Sequence, residues 1–180
     1  MPHAPEGSSE SAARLIRHAK NIDQLLALPE GSPCVLVTWH NVPGTPWRLV
    51  LHPPVVHAGI GCRKGASAKA IENLLAEALT RANVAPAALG SLATADIKQN
   101  EPGLQAVAAA RRIPLRCHSG ATLAAVPVPN PSPKAAQVLG TGPVGVAEAA
   151  ARLAAASGRL ILEKIKGEGV TVALAVENEQ

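Results

Sequence analysis

Apolar side chains recur at helical spacing through residues 11–28, where Leu15, Ile16, Ala19, Ile22, Leu25 and Leu26 are interleaved with Arg14, Arg17, Lys20 and Asp23. That period predicts a short amphipathic helix, stopped by Gly31 and Pro33. Two apolar runs follow, at residues 34–39 and 47–51, on either side of the turn-rich Asn41-Val-Pro-Gly-Thr-Pro46. They predict a β-hairpin. Pro53-Pro54 closes this first segment, so residues 1–53 read as a helix-and-hairpin extension and residues 54–180 as the main domain.

Beyond the boundary the pattern alternates between strand and helix. Residues 55–60 form a short apolar strand. Ser67 is placed to cap a helix whose apolar face is Ala70, Ile71, Leu74, Leu75, Ala78 and Leu79. A second strand is expected at 89–95, followed by a polar loop at 96–100. Pro102, beside Glu101, starts a helix that runs to Arg112. A third strand at 113–117 precedes a short helix at 121–126 that Ser119 can cap. Residues 127–133 hold four prolines and are expected to be a loop. An Ala-rich helix at 144–156 ends at Ser157-Gly158. Residues 160–165 and 170–176, joined by Lys166-Gly-Glu-Gly169, predict a hairpin. Such an order implies an α/β sheet, partly parallel, with helices packed on it.

Composition narrows the chemistry. The chain has no Phe and no Tyr, and both tryptophans, Trp39 and Trp47, lie in the first segment. The core must be built from Ala, Val, Leu and Ile, and nothing in the main domain can stack a base. This argues against a single-stranded nucleic-acid platform. Residues 1–52 are neutral, so the net charge of +4 belongs wholly to residues 53–180. A mildly basic domain without a Lys/Arg stripe suits an anionic small molecule better than DNA. Three cysteines without CxxC spacing indicate neither a disulfide framework nor a zinc site, and the six histidines show no metal-ligand spacing. No metal or cofactor is therefore expected. No apolar run is long enough for a membrane span and the first residues lack signal-peptide features, so the expectation is a cytoplasmic protein.

Three segments could carry chemistry. Gly59-Ile-Gly-Cys-Arg-Lys-Gly65 links a strand to a helix. Gly59 and Gly61 remove side chains where the backbone turns, and the helix N-terminus at Ser67 favours an anion. Arg63 and Lys64 add charged donors. The spacing matches neither the dinucleotide fingerprint nor a Walker A loop, and it also fits a tight turn with two solvated cations. Cys62 inside this loop is either a nucleophile with a lowered pKa or a packing residue. The second segment, Asp96-Ile-Lys98-Gln-Asn-Glu101-Pro-Gly103, follows a strand on the side where α/β sheets place ligands. Asp96 and Lys98 would share one face if extended, and Glu101 is either a general base or a helix-start charge. In the terminal hairpin, Lys164 and Lys166 share a face at period two. They suit an anion contact or a protected edge.

Taken in order, Gly59-Ile-Gly-Cys-Arg-Lys-Gly65, Ala95-Asp-Ile-Lys98 with Glu101-Pro-Gly-Leu104, Pro129-Asn-Pro-Ser-Pro133, Val146-Ala-Glu-Ala-Ala150 and Val170-Thr-Val-Ala-Leu-Ala175 resemble one family. It comprises the cobalamin biosynthesis protein CobE and the C-terminal domain of the CbiG proteins. The resemblance implies a three-layer α/β/α sandwich with a mixed sheet. It also implies a role in corrin-ring construction, with a precorrin or other corrinoid intermediate as ligand and other enzymes of the pathway as partners. Carried onto this sequence, the first motif covers Gly59, Gly61, Cys62, Arg63, Lys64 and Gly65. The second covers Asp96, Lys98, Glu101 and Gly103. Full-length CbiG-like proteins are cobalt-precorrin-5A hydrolases with sizeable domains before the shared one. The 53 residues here do not look like those domains, so the hydrolase activity is not carried over whole. The expected functions are binding or presentation of a corrinoid, lactone hydrolysis using Asp96, Glu101 or Cys62, and an accessory-subunit role.

Overall fold

A computed structural model describes residue 27, residues 31–142 and residues 144–178. Apart from Ala27, the helix expected over residues 11–28 lies outside the described residues. Seven strands and five α-helices occupy the rest. In chain order they are β1 (Cys34–Val37), β2 (Arg48–Leu51), β3 (Val56–Cys62), α1 (Ala68–Arg81), β4 (Leu89–Ala95), α2 (Pro102–Arg111), β5 (Leu115–His118), α3 (Gly120–Ala124), α4 (Pro133–Leu139), α5 (Val146–Ala154), β6 (Arg159–Gly167) and β7 (Val170–Val176). Single 3₁₀ turns occupy Pro86–Ala88 and Asp96–Lys98.

The main sheet has the order β5-β4-β3-β7-β6. β3, β4 and β5 run parallel, while β7 is antiparallel to both β3 and β6. The sheet is therefore mixed, with helices on both faces, as the strand–helix pattern implies. On one face α1 and α2 cover Val56, Ala58, Ile60, Leu92, Val172 and Leu174 with Ile71, Leu75 and Leu104. Burial of each Val, Leu or Ile side chain in this layer stabilises by about 1.5–3 kcal/mol. Ser67 caps α1 by accepting the Ala70 N–H at 3.1 Å.

The other face is built from much smaller residues. Ala149, Ala150 and Ala154 of α5 meet Ala93, Ala95, Leu123 and Val144. With no large ring available, helix and sheet approach until backbones touch. A Cβ on Gly59 would overlap the Ala147 carbonyl oxygen and lie 2.5 Å from the Ala151 nitrogen. The β6–β7 connection is a two-residue turn in which Glu168 and Gly169 both have positive φ (46° and 76°), the arrangement that matches strand twist.

The first segment departs from the hairpin expected there. β1 and β2 pair in parallel, with Cys34 opposite Arg48 and Val37 opposite Leu51. The connecting residues do not turn back directly, because they find partners on the main domain. Ala85 N–H donates to the Trp39 carbonyl at 2.9 Å, and Asn41 N–H to the Asn83 carbonyl at 2.8 Å. The chain pairs with the backbone after α1, then crosses back to begin β2 beside the start of β1. Val35, Val37, Leu49 and Leu51 are left exposed on one face of this small sheet, while Leu36 points to the other and is buried. The prolines at 127–133 end where α4 begins, a helix the proline-rich pattern did not predict.

Candidate functional site

The parallel strands β3, β4 and β5 end together at Cys62, Ala95 and His118, and a loop leads from each into α1, α2 or α3. The N-terminus of β7 and the β6–β7 turn border the same edge, since Cys62 pairs with Val170. At this edge the topology gathers the glycine loop, the Asp96–Lys98 turn and the start of α5. Val146 Cβ lies 3.9 Å from where a Cβ on Gly61 would stand. Thr171 Oγ1 donates to the Gly61 carbonyl at 3.1 Å.

The glycine loop already holds an anion, and it is the protein's own. Glu101 Oε1 accepts the Gly65 N–H at 2.5 Å, and Glu101 Oε2 accepts from Lys98 Nζ at 3.1 Å. The carboxylate is only 8% exposed. The Gly65 N–H, followed by the Lys98 ammonium, pulls its pKa below the ordinary 4.5. Glu101 is therefore ionised at neutral pH and engaged on both oxygens, which suits a clamp and not a general base.

Cys62 packs against the α1 face of the core, and burial raises its thiol pKa. The nearby Lys98 lowers it and Glu101 raises it, each by less than burial does. The lowered pKa expected of a nucleophile at this place is reversed, because burial outweighs the Lys98 charge, which Glu101 further offsets.

Asp96 and Lys98 are not in extended chain. The 3₁₀ turn sends them apart, with Lys98 turning to Glu101 while Asp96 Oδ1 accepts the Ile97 N–H at 2.7 Å. Asp96 is exposed and near Cys117, whose pKa is raised by burial and then by that charge. Gly103 gives α2 access to the loop before α1, since a Cβ there would overlap the Ala66 carbonyl oxygen. Gly59, facing α5, and Gly103 thus serve packing, and the backbone each admits is the protein's own. Lys164 is also engaged, donating from Nζ to the Asn130 carbonyl at 2.5 Å. Arg63 and Lys64 remain exposed, and among the described residues neither makes an ion pair. The Arg63 stem lies over Gly169, where a Cβ would fall 2.6 Å from Nε.

Two residues at this edge carried no role in the sequence reading. Glu148, in the first turn of α5, is fully buried and accepts from Asn130 and Lys164. A lone acid in an alanine-rich helix was the available signal, but it reads equally as a helix-start charge. His118, at the end of β5, has a buried Nε2 without a partner among the described residues. Burial, with Arg116 beside it, lowers its pKa. Among the described residues no group of three or more His, Cys, Asp or Glu is placed to hold a metal, and no helix is long and apolar enough to cross a membrane. Two surface cavities, of about 560 and 460 Å³, lie at the opposite end of the sheet and share Arg159 and Asn178.

The fold and its loaded edge define an α/β protein with a cationic rim at the C-terminal ends of three parallel strands. A family model described as "Cobalamin synthesis G C-terminus" matches residues 56–175, and the chain belongs to that family. Protein CobE of Sinorhizobium sp. is 36% identical over 120 residues, covering 65% of this chain and 77% of that protein. Cobalt-precorrin-5A hydrolase of Salmonella typhimurium is 31% identical over 159 residues, covering 86% of this chain and 44% of the hydrolase. A crystal structure of CobE, a protein from the cobalamin (vitamin B12) biosynthetic pathway, superposes with a TM-score of 0.63 at 34% identity, covering 69% of this chain and 91% of that one. The chain spans less than half the length of the cobalt-precorrin-5A hydrolases it matches. The 86% aligned with the Salmonella protein cannot fit between Val56 and the C-terminus, so it reaches into the preceding segment.

Proposed function

We propose that this chain binds a corrinoid intermediate of cobalamin synthesis at the strand ends, holding it by its peripheral carboxylates. The observation that carries this reading is the division of charge at the rim. Lys98 is paired internally with Glu101, while Arg63 and Lys64 stand exposed beside it and make no ion pair among the described residues. A macrocycle fringed with acetate and propionate groups supplies such counter-ions at several points at once. The N-termini of α1 and α2 open onto the same edge and add to its positive potential. Thr171, on β7, braces the Gly61 carbonyl and keeps the loop in register.

The test is a visible-absorbance titration of the purified chain with hydrogenobyrinic acid, with Arg63→Ala measured beside it. Micromolar or tighter binding is expected. Loss of one exposed charge-assisted contact should weaken it roughly fivefold, about 1 kcal/mol. No retention at micromolar concentration would end the proposal.

Hydrolysis of a precorrin lactone is the second reading, and the exposed carboxylate of Asp96 at the end of β4 favours it. Asp96 stands exposed at the strand end, whereas Glu101 is engaged on both oxygens and burial keeps Cys62 protonated. Turnover would appear as loss of the lactone mass with release of an aldehyde, and as its absence in Asp96→Asn. Stable capture of another pathway enzyme without ligand would instead support an accessory subunit.

A further inference from the structure

Five segments meet at the strand ends, and two sequestered carboxylates tie them together. Glu101 joins the glycine loop to the Asp96–Lys98 turn. Glu148 joins three others: α5, the proline loop and β6. Its carboxylate is fully buried. Oε2 accepts the Asn130 backbone N–H at 3.2 Å, while Oε1 accepts Asn130 Nδ2 at 2.8 Å and the Lys164 N–H at 3.2 Å. Asn130 in turn donates from Nδ2 to Glu163 Oε2 at 3.0 Å, and its carbonyl accepts from Lys164 Nζ. Asn130 is thus held through its backbone and its side chain, between two prolines that restrict the backbone. Gly145 allows this closeness, because a Cβ there would lie 3.0 Å from both the Asn130 carbonyl and Glu148 Oε2.

A carboxylate without solvent is costly unless fully satisfied, and an apolar side chain of similar size would pack α5 against the sheet at less cost. What an apolar side chain could not do is hold the Asn130 loop at a fixed position. That loop lies beside the start of α5, and α5 in turn touches Gly61. We propose that Glu148 is a positioning residue: it fixes the Asn130 loop as one wall of the corrinoid rim, and so sets the shape of the site without touching the ligand. This rests on the corrinoid-binding reading. Lys164 also serves the wall, since its ammonium donates to the Asn130 carbonyl.

The experiment compares the full chain with Glu148→Gln, Asn130→Ala and Leu75→Ala. Leu75 is buried in the α1 layer, away from the rim, and controls for lost stability alone. Each is titrated with hydrogenobyrinic acid at 10 °C under conditions where circular dichroism reports a folded chain. Hydrogen exchange of residues 128–132 is followed in parallel. Glu148→Gln and Asn130→Ala should weaken binding about tenfold and speed exchange in that loop. Leu75→Ala, with equal or greater loss of stability, should bind within twofold of the unaltered chain. Faster exchange with unchanged affinity would overturn the proposal and leave Glu148 as a purely structural clamp, as would equal weakening by Leu75→Ala. Should Glu148→Gln fail to fold, Asn130→Ala decides on the same criteria. If the unaltered chain binds no corrinoid, the reading beneath the proposal fails and the proposal falls with it.

Discussion

The Glu101 carboxylate accepts the Gly65 backbone N–H at 2.5 Å across a separation of thirty-six residues. One acid thereby occupies the amide that a strand-to-helix glycine loop would otherwise offer to a ligand. What remains for a ligand is the pair of exposed cations beside it and the helix termini. On the proposed reading the rim is a surface for several dispersed anionic groups, and less a cradle for one phosphate.

Replacing Glu101 by Gln should cost about 1.5–3 kcal/mol, the range for hydrogen bonds to a charged group. The amide oxygen can still accept from Gly65, but the amide NH2, a donor, then faces Lys98. Urea denaturation should show a lower midpoint with an unchanged slope. Lys98→Met in the Glu101→Gln background should recover part of the loss, because the unpaired ammonium is then gone.

The same pair gives the chain a defined response to acid. The folded pKa of Glu101 lies below its ordinary 4.5, so the unfolded chain takes up the proton first as pH falls. The contribution is whole above pH 4.5 and is lost as pH drops through the folded value. The stability gap between the unaltered chain and Glu101→Gln should be flat from about pH 6 to 8 and should narrow below about 4.5. A gap that widened on acidification would contradict the clamp.

Gly59 and Gly65 should both lose stability on replacement by alanine, Gly59 the more. At Gly59 the new methyl group would overlap α5 backbone, so about 1–3 kcal/mol or more should be lost, with α5 displaced. At Gly65 the space is open and only the left-handed φ of 76° resists. That costs about 1–2 kcal/mol and leaves the fold in place. Thermal unfolding of the two variants tests the order.

Cys62 should be a slow thiol. Burial keeps it protonated, so iodoacetamide at about pH 7.5 should alkylate it more slowly than free cysteine, as read by peptide mass spectrometry. Reaction faster than the free amino acid would restore the nucleophile reading for this position.

Local pattern carried much of this architecture. The face of α1 was legible residue by residue, from the Ser67 cap to Leu79, because helical period and capping are written within a few residues. β4 falls at 89–95 as its apolar run indicates. Relationships across the chain were not legible. Nothing near Gly65 announces that its partner is Glu101, and nothing in 34–51 announces that residues 39–41 will pair with 83–85. A turn-rich loop between two apolar runs therefore read as a hairpin. α4 was hidden by Pro133, which blocks a helix interior but suits its first turn. Residue type and place nominated the candidate site residues, but not their surroundings: the Gly65 and Lys98 donors that engage Glu101, and the burial that raises the Cys62 pKa, come from the fold.

The pairing that holds the first segment also imposes an order of events during synthesis. β1 and β2 emerge from the ribosome before the backbone they lean on, since residues 83–85 follow α1 in the chain. Domains gain their structure as the nascent chain lengthens, and a strand pair this short has little stability alone. Leu36, buried in the folded chain, must wait for the surface that covers it. In that interval this lobe is most open to chaperones and to neighbouring nascent chains.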